Sequence, residues 1–114
     1  MDKRKKEDKN PYTEFPNNIY ERLLSYGFNA TQLLVVLYVI RKTYGFHKPE
    51  GDKISIKKMA TDIGKSRRFT TSAVDDLEKM GVLERYSDGN ESKTGIKIMR
   101  ITNPGNWDKD LSET

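Results

Sequence analysis

The sequence contains no cysteine, which excludes disulfides, thiolate metal sites and a cysteine nucleophile, and fits a reducing compartment. It has a single histidine, His47, in a turn-forming stretch, so no multi-histidine metal site can be built. Long hydrophobic runs are missing too. The longest, Leu33 to Ile40, makes only two helical turns, far short of a membrane span, and the charged opening Met1 to Lys9 is not followed by the apolar core of a signal peptide. There is no Gly-x-x-x-x-Gly-Lys phosphate loop and no dinucleotide fingerprint. Asp88, Asn90 and Ser92 imitate the start of a calcium loop, but Lys93 stands where glycine is needed and Met99 where a bidentate glutamate is needed. Asp75, Asp76 and Glu78 share one helix surface and read as a solvated face, not as an acid/base pair. The expectation is a non-enzyme with no cofactor, metal or membrane segment, working in the cytoplasm.

What the chain does have is positive charge, and it is concentrated. With 114 residues it is long enough for one core of three or four helices and a small sheet, but not for two. The net charge is +4, which alone says little. From Lys53 to Ser72, however, six basic residues (Lys53, Lys57, Lys58, Lys65, Arg67, Arg68) face one acid, Asp62. From Asp75 to Glu91 six acids face only Lys79 and Arg85. The positive field therefore sits on one short segment, which suits a polyanion.

That segment has its own pattern. Thr70, Ala73, Val74 and Leu77 follow the i, i+3, i+4, i+7 spacing of a one-sided helix, with Arg68, Ser72, Asp75 and Lys79 on the opposite face and Thr71 at its edge. Ser66 is a favourable N-cap and Gly81 a suitable left-handed stop. Upstream, Ser55 to Gly64 reads as a second capped helix with Ile56, Met59, Ala60 and Ile63 inward. Two short helices joined at Gly64-Lys65 form a helix-turn-helix, whose second helix enters the DNA major groove. Val82 to Tyr86 and Ile96 to Ile101 then read as two strands joined by a long polar tip, the wing behind the recognition helix. The expected fold is thus α+β, mainly α: a winged helix-turn-helix with a small β-hairpin wing. Arg68, Thr71 and Ser72 are the expected base-reading face. Lys57, Lys58, Lys65, Ser66 and Arg67 are expected to hold phosphates, with Lys93 and Lys97, and also Arg100, acting from the wing.

The remaining residues frame this unit. Residues 1–11 are expected to be a disordered charged tail, 12–107 the domain and 108–114 a frayed end. Asn17 or Asn18 should cap a first helix burying Ile19, Leu23 and Leu24. Asn29 and Gln32 have capping-box spacing, and open a helix that is apolar on every side from Leu33 to Ile40. It is either the central post of the core or a face shared with a second protomer, the first being expected. Lys53 to Ser55 should be a short strand pairing with the wing, and Trp107 an anchor for the C-terminal tail.

Several blocks also resemble a known family: Tyr12 to Asn17, Leu33 to Ile40 followed by Arg41-Lys42-Thr43-Tyr44-Gly45-Phe46, Ile54-Ser55, and Gly64-Lys65-Ser66-Arg67. Together they are similar to the N-terminal domain of phage replication protein O, the lambda-type initiator. The resemblance implies a winged helix that binds repeated double-stranded sites in a phage replication origin, usually as a homodimer. It also implies recruitment of the host helicase machinery through a separate C-terminal region that this sequence lacks. Asp75 and Asp76 depart from that pattern, standing where basic residues are commoner, as does Phe69, at a position usually small. The rival readings are a winged-helix transcriptional regulator and a winged-helix protein-interaction module, the second suggested by the acidic run from Asp75 to Glu91.

Overall fold

The computed structural model describes residues 12–87 and 97–107. The expected N-terminal tail, the hairpin tip with Lys93, and the expected C-terminal tail lie outside the described residues. In chain order the elements are α1 (Asn17–Ser25), α2 (Ala30–Thr43), β1 (Asp52–Ile54), α3 (Ile56–Ile63), α4 (Arg67–Lys79), β2 (Leu83–Tyr86) and β3 (Lys97–Ile101). Single 3₁₀ turns follow α2 at Tyr44–Phe46 and β3 at Pro104–Asn106.

Helix α2 is the post around which the others pack. The Asn29 side chain accepts from the Gln32 N–H at 2.8 Å, and the Gln32 side chain accepts from the Asn29 N–H at 3.0 Å, so the expected capping box fixes where the helix starts. Val35, Val36 and Val39 are fully buried against α3, α4 and the sheet, and the one polar group in this stripe, the Thr43 hydroxyl, donates to the Val39 carbonyl at 2.8 Å. The helix is not buried on every side, because Leu37 is 44% exposed.

The three strands form one antiparallel sheet in the order β1-β3-β2, with Lys53 opposite Ile98 and Arg85 opposite Met99. Alternation along β3 sends Met99 and Ile101 into the core. The short strand expected at Lys53 to Ser55 runs from Asp52 to Ile54 and pairs with β3 as anticipated. Gly51 is essential to its approach. Its φ of +126° is a glycine conformation, and a Cβ there would lie 2.9 Å from Ile98 Cγ2 and 3.1 Å from the Met99 carbonyl. Strands β2 and β3 directly follow α4, which completes a mainly α winged helix-turn-helix.

Two details of the first helix differ from expectation. Neither Asn17 nor Asn18 caps α1: Asn17 is already helical, Pro16 occupies the cap position, and no side chain caps the end. Proline, with φ near its fixed value, starts the helix instead, and the Pro16 carbonyl accepts from Ile19 and Tyr20. Ile19 is buried and Leu23 half-buried, as the helical stripe requires, but Leu24 is 71% exposed because it lies beyond the edge of that stripe.

Trp107 anchors the chain after β3. Its ring is buried edge-on against Tyr26 and Phe28, with centroids 5.7 Å from each, and its Nε1–H donates to the Thr102 carbonyl at 3.2 Å. No helix among the described residues is long and apolar enough to cross a membrane. Trp107→Ala should lower stability by about 3–5 kcal/mol, the usual cost of emptying an aromatic site. Urea unfolding followed by circular dichroism measures it; an unchanged midpoint would show that the anchor contributes nothing.

Candidate nucleic-acid interface

The turn between α3 and α4 sets the angle at which α4 is presented. Ser55 caps α3 by accepting from the Lys58 N–H at 3.2 Å, and Ser66 caps α4 by accepting from the Phe69 N–H at 3.1 Å. Between them Gly64 adopts a left-handed φ of 75°, and the Lys65 N–H reaches back to the Ala60 carbonyl at 3.0 Å, closing α3 within one residue. A residue with a Cβ would be strained in this conformation, which is why the turn can be so tight.

Helix α4 buries Thr70, Ala73, Val74 and Leu77, the stripe read from the sequence. The Thr70 hydroxyl is satisfied by the Ser66 carbonyl at 2.8 Å. On the other side, Arg67, Arg68, Thr71, Ser72, Asp75, Asp76 and Lys79 line a shallow open hollow of about 570 Å³. Of the expected base-reading residues, Arg68 and Ser72 are exposed and Thr71 is half-buried at the edge. Ser66 already uses its hydroxyl oxygen as the cap and keeps its proton available as a donor.

The expected phosphate-holding residues divide into two groups. Lys57, Lys65 and Arg67 are exposed and have no acidic partner among the described residues. Lys58, by contrast, is paired with Asp62 at 3.0 Å, and Asp62 also accepts from the Tyr38 hydroxyl at 2.8 Å. The Lys58 ammonium and the Tyr38 hydroxyl hold the Asp62 carboxyl below its ordinary range. Lys97 is half-buried at the start of β3, on the face it shares with Met99 and Ile101. Arg100 is committed to Glu84 at 2.7 Å.

The acids of α4 have a partner that sequence reading missed. Arg85, on β2, folds back over the helix, with Nη2 2.7 Å from Glu78 and 2.9 Å from Asp75, and its side chain is only 17% exposed. These bonds, Glu78 foremost, push the guanidinium further toward its charged form. Asp75, placed on the free face by a helical wheel, is therefore drawn sideways to the sheet. The signal was available: Asp75 and Glu78 are an i, i+3 pair, and a strand that doubles back on its helix brings one cation to both. Among the described residues no group of His, Cys, Asp and Glu could hold a metal ion.

A capped helix-turn-helix with a small antiparallel sheet behind it defines a winged-helix fold, here with an open helix face that begins with two arginines. The family described as Bacteriophage replication protein O matches residues 4–101, and the chain belongs to that family. It is also similar to the DNA replication protein gp18 of Salmonella phage P22, 36% identical over 72 residues, which cover 63% of this chain and 26% of that relative. The chain thus spans about a quarter of the length of the curated relative it matches. No solved structure matches it.

Two ionic networks can be tested directly. Arg85→Ala should destabilise the fold by about 1–3 kcal/mol, because it leaves two carboxylates without their charged donor, whereas Arg100→Ala, at a more exposed pair, should cost less than about 1 kcal/mol. Chemical denaturation of both variants ranks them; equal costs would contradict the clamp. Burial, with help from Asp62, raises the Tyr38 phenol from 10.0 to about 12. The folded state holds this proton more tightly than the unfolded chain, so its stabilising contribution is complete below pH 10 and is lost as pH rises toward 12. Spectrophotometric titration should show a phenol ionising near pH 12 that disappears in Tyr38→Phe.

Proposed function

We propose that this chain is the DNA-binding domain of a phage replication initiator and recognises specific double-stranded sequences at a phage-type origin. The observation that carries this reading is the free face of α4. Arg68 and Ser72 are exposed on it, and Arg68 has no ion-pair partner among the described residues, while Asp75 and Glu78 beside them share the single positive charge of Arg85, which offsets half of theirs. An open helix face of this kind can seat in the major groove, where Arg68 can read a guanine through two hydrogen bonds and Thr71 and Ser72 can contact neighbouring bases. Lys57, Lys65 and Arg67 flank it as phosphate contacts that carry no sequence information. Lys58 would join them only by exchanging Asp62 for a phosphate, and Lys93 and Lys97 would act from the wing.

Membership of the replication protein O family supports the role in phage DNA replication, and the P22 relative is itself named a DNA replication protein. Residues 12–107 are taken as the DNA-binding domain, acting in the cytoplasm of a bacterial host. A homodimer on repeated sites belongs to the same reading, with recruitment of the host helicase machinery left to a region outside this chain. The protein-interaction alternative rested on the acidic run after Asp75. It is weakened because Asp75, Glu78 and Glu84 are each paired within the fold.

Selection from a random duplex pool should yield a consensus that recurs in the origin of the phage genome. Arg68→Ala should cost about 1–3 kcal/mol and relax the consensus at one position, whereas Lys57→Ala should weaken all sequences alike and lower the salt slope by about 1. Binding titrations over a range of salt measure both effects. If neither variant changes affinity, the assigned face is wrong.

A further inference from the structure

Phe69 is 63% exposed on the first turn of α4, more than the exposed aromatic side chains Phe46 and Tyr86, each of which has a partner. Phe46 is covered by the Arg41 guanidinium at 4.6 Å, and the Tyr86 hydroxyl donates to the Glu50 carbonyl. Phe69 is absent from the core and from the apolar side chains packed on it, and it has no ring or cation partner among the described residues. Its backbone N–H is fixed by the Ser66 cap, so the residue is held in place although its ring is unpartnered. Leaving such a ring in water forgoes the stabilisation that burial would bring.

We propose that Phe69 is a specificity-determining residue that reads the 5-methyl group of thymine in the major groove. This rests on the DNA-binding reading given above and extends it. On the helical wheel Phe69 lies at the border of the free face, 40° from buried Ala73 and 60° from Ser72, and helical side chains lean toward the N-terminus, which carries the ring over the end of α4 that enters the groove first. The surrounding charge selects the occupant. Lys65, Arg67 and Arg68 crowd the same turn, so an apolar protein surface docking there would have to strip water from three cations. A DNA groove instead supplies phosphates for those cations, and the apolar group it displays is the thymine methyl.

The test uses the duplex that the full chain selects from a random pool. Each thymine in the protected region is replaced singly by deoxyuridine, which removes the methyl group and leaves base pairing intact. At one or two positions the replacement should weaken wild-type binding about four-fold, the effect of losing one buried methyl. Phe69→Ala should bind the thymine duplex more weakly and be indifferent to the replacement, whereas Phe69→Leu should retain the sensitivity. Thermal melting should change little in either variant, since the ring is exposed and outside the core cluster. Equal responses of wild type and Phe69→Ala at every thymine, or selection of the same bases by both, overturn the assignment. In that case binding that still depends on Arg68 leaves the DNA-binding reading intact, whereas a wild-type chain with no sequence preference overturns both.

Discussion

The arrangement depends on how one helix is rotated about its own axis. Thr70, Ala73, Val74 and Leu77 form a stripe that has to be buried, and α2 supplies the surface that buries it. Turning α4 by one residue, about 100°, would move Leu77 out of the core and bring in Ser72 and Asp76, or in the opposite sense Asp75 and Glu78, so the packing energy and the cost of burying a carboxylate act in the same direction. The outward set is therefore a consequence of the inward one. Capping by Ser66 and the left-handed turn at Gly64 then fix where along the helix the free face begins.

Electrostatics refine what packing has placed. A helix with both Arg67 and Arg68 at its start and Asp75, Asp76 and Glu78 further on would present a mixed field to any approaching polyanion. Arg85 reduces that ambiguity, since two of the three acids share its one positive charge in a partly buried cluster that salt screens less than a surface contact, and it draws both toward the sheet. Asp62 has the opposite effect on Lys58. The cationic surface that remains, Lys57, Lys65, Arg67 and Arg68, is smaller than the tally of basic residues implies, but it is continuous with the free face of α4.

The helices, the turn and the strands were legible because each was marked by local chemistry: serine caps at Ser55 and Ser66, glycine stops at Gly64 and Gly81, and alternation at Met99 and Ile101. The start of α1 was misread because Pro16 and Asn17 both offer a plausible helix start, and the local sequence does not say which prevails. Leu24 was misplaced for a different reason. A stripe read from the sequence has no edges until its neighbours are known, and among the described residues the side of α1 that carries Leu24 is open. The pairing of Arg85 across α4 and of Lys58 with Asp62 and Tyr38 depends on side chains brought together by tertiary structure. Counting charges along the chain gives the sign of the field near the turn but not which charges remain free.

The N-terminal turns of α3 and α4 carry a conflict that bears on what the surface is for. Partial positive charge collects at the start of a helix, so acids are favoured there and cations are not. Neither helix has an acid in its first turn, and Lys57, Lys58, Arg67 and Arg68 stand there instead. The serine caps and the buried stripes hold the helices in place despite this repulsion, so the fold can carry the conflict but gains nothing from it. An anion placed against these turns would attract both the free backbone N–H groups and the side-chain cations, and so offset their mutual repulsion. The start of each helix is thus a place where local electrostatics and folding pull in opposite directions, and the caps and buried stripes decide the outcome.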